Sequence, residues 1–285
     1  MKSTKKIIAI DKLRAFENHT YKVQDNEEME ALAESIKEHG IVSPVIVRPL
    51  ENTIDEYEII SGHRRVMASR KAGITEVPAL IVSLDRDAAS IVLVDSNLHR
   101  EHILPSEKAF AYKMKAEALA HKGFRADLTS EQLAPKLATE QIAEDVGTSK
   151  DTIKRYIRLT NLIPEILKYV DDGRISFTPA VELSYLNEQE QQDLLNQIEE
   201  SDCTPSLSQA CRFKKISQGE GLTPEVIAEI MEEEKANQRE MFKVPMERIR
   251  QYVPNANAKQ AEDFVLKACE HYRKFLIRQR NRDER

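Results

Sequence analysis

The hydrophobic pattern of this chain changes kind at Pro105, and that change limits the folds open to it. Upstream, short apolar runs alternate with short amphipathic segments; downstream, the pattern is helical almost to the end. Met29, Leu32, Ala33 and Ile36 recur at i, i+3, i+4 and i+7, with Asp25 placed to cap their helix, Glu28 in the capping-box position and Gly40 to end it in a left-handed conformation. Residues 41–47, interrupted by Pro44, read as an edge strand, because proline brings no N–H to a ladder. Residues 57–60 and 77–82 read as two further strands, with Gly62 turning the first into a helix over 63–72 that Gly73 closes. Pro105 suits the first turn of a helix, and Phe110, Met114 and Ala118 follow on one face. The expected fold class is α+β: a small α/β domain over residues 1–104 and an all-helical domain over 105–200. A weakly ordered connection over 201–221 leads to a helical region over 222–285, interrupted at 253–259.

With 285 residues and a 41% hydrophobic fraction, the chain has room for two cores. Its 42 basic and 48 acidic residues leave a formal charge of −6, so any nucleic-acid contact must come from a local basic face. No apolar run approaches the roughly 18–20 residues a membrane helix needs, and the start is no signal peptide, which points to a cytoplasmic chain with no membrane partner. Cys203, Cys211 and Cys269 are odd in number and lack metal-ligand spacing, in keeping with a reducing setting. No phosphate loop of the G-x-x-x-x-G-K-[ST] type and no Ser-His-Asp signature is present, which argues against a P-loop ATPase or a hydrolase.

Residues 137–159, LATEQIAEDVGTSKDTIKRYIRL, carry a helix-turn-helix pattern. Ile142, Ala143 and Val146 give the first helix a buried face, Gly147 supplies the turn, and Thr148 or Ser149 caps the second helix. Ile153 and Ile157 point inward, so Lys150, Thr152, Lys154, Arg155 and Arg158 are left outside. Phosphate-binding cations mixed with short hydrogen-bonding groups suit a helix laid in the major groove. The DNA-facing set expected here is Gln141, Thr148, Ser149, Lys150, Thr152, Lys154 and Arg155. A solvated helical hairpin with an ordinary basic face is the alternative.

A second pattern is a strand, Gly62, then His63-Arg64-Arg65 opening a helix. Amides at a helix N-terminus and an adjacent guanidinium are suited to an anion. Alone the segment reads more readily as surface charge. Asn97 and Arg100, in the segment DSNLHRE before Pro105, could face the same ligand. His99 and His102, i and i+3, have no obvious third metal ligand, and Glu101 and Glu107 read as salt-bridge and capping groups.

Five segments in order resemble the ParB/Noc family of partition proteins, over roughly residues 5–200. EALAESIKEHGIVSPVIVRP is similar to the family's opening helix and strand. SGHRRVMASRKAG resembles its G-E-R-R box, and SNLHREHILPSEKAFAY its E-N-x-x-R…L-x-P-x-E-x-A box. The helix-turn-helix follows, then LTNLIPEILKYVDDGRISFTPAVELSYL. The resemblance implies a ParB-type N-terminal domain binding a cytidine nucleotide, in many members CTP with Mg2+. It also implies a homodimer on a palindromic double-stranded DNA site, closed by nucleotide into a sliding clamp that serves plasmid, mobile-element or chromosome partition. By the same match Gly62, His63, Arg64, Arg65, Asn97 and Arg100 form the nucleotide site, and no residue is assigned to catalysis.

Two departures stand out: Ser96 replaces the glutamate before Asn97, and His63 that of the first box. Loss of the first carboxylate weakens the expectation of Mg2+ and of CTP hydrolysis, since a hard cation prefers charged oxygens. A Gly/Leu/Arg-rich opening motif for stimulating a ParA-type ATPase is not evident, so that partner ranks behind DNA. Near the C-terminus Phe264, Val265, Ala268, Tyr272, Phe275 and Leu276 form an apolar stripe. Arg273, Lys274, Arg278, Arg280, Arg282 and Arg285 follow, as expected of a dimer helix with a basic tail. The alternatives are a transcriptional regulator without nucleotide switching and a nuclease on the same N-terminal domain. Localisation follows as nucleoid- or plasmid-associated.

Overall fold

A computed structural model describes residues 3–17, 25–51, 53–98, 103–125, 134–219, 221–233, 244–254 and 257–283. The first part is α+β, as expected, but its sheet has five strands rather than three. In chain order come β1 (Ser3–Ala9), β2 (Leu13–Ala15), α1 (Glu27–His39), β3 (Val45–Pro49), β4 (Tyr57–Ser61), α2 (His63–Lys71), β5 (Glu76–Val82) and α3 (Arg86–Leu98). The sheet order is β1-β5-β3-β4-β2, antiparallel for β1/β5 and β3/β4 and parallel for β3/β5 and β2/β4. β1 and β2 escape a periodicity reading because they are edges. β1 is mostly exposed and opens on Ser-Thr-Lys-Lys, and β2 has three residues.

The expected edge strand around Pro44 is the central one, β3. Pro44 lies just before the strand begins, so its missing N–H interrupts no ladder, and Val45 and Val47 are fully buried. Period-two alternation serves both faces of the sheet. Val45, Val47, Ile59 and Val77 pack with Val66 of α2, whereas Ile60 and Val82 pack with Ala89, Leu93 and Val94 of α3. α1 is capped by Asn26, whose Oδ1 accepts the Met29 N–H at 3.2 Å, and not by Asp25, which pairs with Lys71.

From Pro105 the chain is helical: α4 (Pro105–Arg125), α5 (Ala134–Val146), α6 (Lys150–Arg158), α7 (Pro164–Asp171), α8 (Phe177–Leu183), α9 (Glu188–Ser201), α10 (Leu207–Ser217) and α11 (Pro224–Glu232). The buried face of α4 runs through Ala111, Tyr112, Lys115 and Ala118. Phe110, expected on that face, is exposed, because the stripe is one position round from the one its apolar residues define. Residues 201–221, expected to be weakly ordered, hold α10. A reciprocal Ser206–Gln209 box starts this helix, and Ala210 and Phe213 lie in the main helical core. α11 joins that core through Ile227, Ile230 and Met231, so the first compact unit runs to Glu233 and not to the expected linker.

The second unit, Glu234–Arg285, holds α12 (Met246–Arg250) and α13 (Ala258–Asp283). Asn257 Oδ1 accepts the Gln260 N–H and Gln260 Oε1 accepts the Asn257 N–H, which starts α13 where the expected break ends. Among the described residues no helix is long and apolar enough to cross a membrane.

Candidate nucleic-acid interface

α5 and α6 owe their angle to residues legible in the sequence. Gly147, at φ +70°, makes the turn, while the Thr148 N–H returns to the Ala143 carbonyl at 2.9 Å. Ser149 caps α6, its Oγ accepting the Thr152 N–H at 3.1 Å. Ile153 is fully buried against Ile142, Ala143 and Tyr112 of α4, so the two helices share one small core. Val146, expected in that core, is exposed at the end of α5.

Of the seven DNA-facing residues expected, Gln141, Thr148, Ser149, Lys150 and Lys154 are exposed. Thr152 is half-buried, its Oγ1 2.9 Å from the capping Ser149 Oγ. Lys150 Nζ reaches Glu140 Oε1 at 3.1 Å. Arg155 is drawn toward α8: its guanidinium carbon is 5.0 Å from the Phe177 ring centroid and it donates to Thr178 Oγ1 at 3.1 Å. Arg158 stacks 3.5 Å from the Tyr185 centroid and donates to the Ser184 carbonyl at 3.3 Å. The outer basic face of α6 is therefore propped by aromatic residues some twenty to thirty positions downstream. No local signal marks Phe177, Thr178 or Tyr185 for this role, because α8 and the turn after it close on α6 only in three dimensions.

The anion candidate is built at the C-terminal end of β4. Gly62 has φ +106°, and a Cβ there would come within 2.8 Å of Val45 Cγ1 and 3.1 Å of an Arg65 guanidinium nitrogen. Only glycine lets the chain pass between that strand and that side chain. Arg65 donates to the Ser43 and Pro44 carbonyls, and burial pushes its guanidinium pKa down from the ordinary value. Arg64 donates to Glu28 Oε2 at 3.0 Å, and both it and His63 at the start of α2 are half-buried. In this structure both guanidiniums of the box are bonded within the protein, Arg65 to the two carbonyls and Arg64 to Glu28.

Asn97 is buried near the end of α3, its Nδ2 donating to the Leu93 carbonyl at 2.7 Å. Ser96 Oγ donates to the same carbonyl at 2.9 Å. The two boxes flank one strand: Ile60, two residues before Gly62, shares a buried cluster with Leu93, one turn before Asn97. Arg100, His99, Glu101 and His102 lie outside the described residues. Among the described residues no group of three or more His, Cys, Asp or Glu side chains is placed to hold a metal.

One residue of this region carries no motif. Lys115 of α4 is 1% exposed, and its ammonium donates to Asp95 Oδ1 and Asp145 Oδ2, each at 2.6 Å. Burial alone would lower its pKa, but the bonds to Asp145 and Asp95 and their charges outweigh that, and the pKa is raised. No local pattern marks Lys115 as buried, because a charged residue in a helix is ordinarily solvated.

Residues 1–98 match the family profile described as ParB N-terminal domain, and residues 107–206 the one described as ParB HTH domain. The chain is 37% identical over 159 residues to the probable chromosome 1-partitioning protein ParB of Deinococcus radiodurans, covering 55% of this chain and 48% of that protein. It is 34% identical over 200 residues to the nucleoid occlusion protein of Geobacillus thermodenitrificans, covering 70% of this chain and 64% of that one. The chain thus spans about half to two thirds of the length of these curated relatives. A crystal structure of the C-terminally truncated chromosome-partitioning protein ParB from Caulobacter crescentus, complexed with CTP-gamma-S, is 26% identical. It covers 68% of this chain and 98% of that chain at a TM-score of 0.33.

Proposed function

This chain belongs to the ParB/Noc family of partition proteins, and from that premise we propose that it binds a specific palindromic DNA site as a homodimer and closes around DNA when CTP binds. The observation that supports DNA reading most directly is the ordered α5–Gly147–α6 unit, with Thr148, Ser149, Lys150 and Lys154 exposed at the start and outer face of α6. The N-terminal end of such a helix approaches base edges, while Lys154 is suited to a phosphate. Two-fold symmetry of the site asks for two copies, and α13 supplies a surface for this. Along its 26 residues Tyr272 and Phe275 are 61% and 51% exposed, beside Phe264 and Leu276.

The nucleotide reading rests on the first box, whose glycine, helix N-terminus and two guanidiniums suit a triphosphate. Asn97 and Arg100 would complete the pocket. Without the glutamate at position 96, CTP binding rather than Mg2+-dependent hydrolysis is the activity expected. Partition would bring a ParA-type ATPase as partner. Ser96 also favours a second reading, a regulator that kept the fold and lost the switch, whereas a nuclease lacks a metal-binding cluster among the described residues.

Genome-wide footprinting of the full-length protein separates these readings: one strong peak with flanking spread is expected of a loaded, sliding clamp, and scattered sharp peaks would indicate a regulator. Lys154→Ala together with Thr148→Ala is expected to lower specific-site affinity at least tenfold in gel shifts. Retained affinity would refute the interface. Arg65→Ala is expected to abolish CTP binding in calorimetry while leaving DNA binding intact, and equal CTP affinity would refute the pocket.

A further inference from the structure

Lys115 joins three helices. Asp95 lies in the last turn of α3, two residues before Asn97, and Asp145 in the last turn of α5, two residues before the Gly147 turn into α6. Neither helix has a basic residue in that turn, so each carboxylate faces the negative end of its own helix dipole. One buried cation answers both. If α3 or α5 moved away, the ammonium would lose half its compensation in a site where an unpaired charge is strongly disfavoured. Both aspartates are about half exposed, so either can be released into water while the other stays paired. In the structure both carboxylates are held.

We propose that Lys115 is a positioning residue, a latch that fixes the second nucleotide box against the first helix of the helix-turn-helix, so that displacement of α3 reorients α6. Only the trigger of this latch rests on the nucleotide reading; the latch itself does not. A coupling of this kind is reciprocal, so DNA held by α6 would in turn bias the box on α3.

The test uses the full chain with exposed Cys203, Cys211 and Cys269 replaced by serine and spin labels at exposed Lys37 on α1 and Glu188 on α9. Pulsed electron resonance should give one narrow distance in this parent. Lys115→Met, close in volume, is expected to at least double the width or add a second distance with helical circular dichroism unchanged. Lys115→Arg, which keeps the charge, is expected to stay closer to the parent. If Lys115→Met fails to fold, Asp145→Asn makes the same measurement with one tether removed. A distribution in the folded variant as narrow as the parent's overturns the latch. If the variant broadens while CTP at millimolar concentration leaves the parent unchanged, the latch stands and the nucleotide reading falls.

Discussion

Arg48 and Glu58 face each other across β3 and β4, with Nε 2.6 Å from Oε2 and both side chains buried. The other Glu58 oxygen accepts the Glu17 N–H at 3.1 Å, and the guanidinium lies 5.9 Å from the Phe16 ring centroid. Truncating one partner strands a charge in the sheet, so Glu58→Ala is expected to cost about 3–5 kcal/mol, read as a lower urea midpoint. Replacing both residues by leucine or methionine should recover most of that. Gly62 offers a second test. Alanine there meets both a left-handed backbone and Val45 Cγ1, and a loss of about 1–3 kcal/mol is expected in thermal melts. At this scale the turn at Gly62 was readable, since a glycine between a strand and a helix marks a left-handed position. Lys115 was not, because its partners are aspartates twenty residues before it and thirty after it, on two other helices.

Among elements, α6 shows how much a short helix depends on its ends. It has nine residues, too few to be stable alone, and its first turn is tied by the Ser149 hydroxyl. Ser149→Ala is expected to cost about 1 kcal/mol. Because it loosens the end of the helix assigned to base edges, specific-site affinity in gel shifts should fall further than affinity for random DNA. α10 makes the opposite point about a segment rich in Ser and Gln that reads as a connection. Its Phe213 is fully buried, and Phe213→Ala is expected to cost about 3–5 kcal/mol, a loss that a loosely held linker would not show in urea unfolding. The signal available in sequence was the Ser206–Gln209 capping box rather than hydrophobic density.

For the whole molecule, the buried clusters among the described residues lie in the first unit, the last of their residues being Met231. Truncation after Glu233 is therefore expected to leave a cooperative melt within a few degrees of the full chain, while affinity for a palindrome drops through loss of the dimer surface proposed on α13. Unchanged self-association of the truncated chain in ultracentrifugation would show that the dimer surface lies elsewhere. The sequence alone determined the change from a mixed to a helical pattern at Pro105 and the helix-turn-helix. Each is written in spacing within about twenty residues, through a turn glycine, a cap or a run of apolar positions. Only the tertiary structure decided that β3 is central, that α10 and α11 belong to the core, and that a lysine on α4 joins two aspartates fifty residues apart. Those facts depend on which surfaces meet when long stretches of chain close on each other, and local periodicity does not encode that.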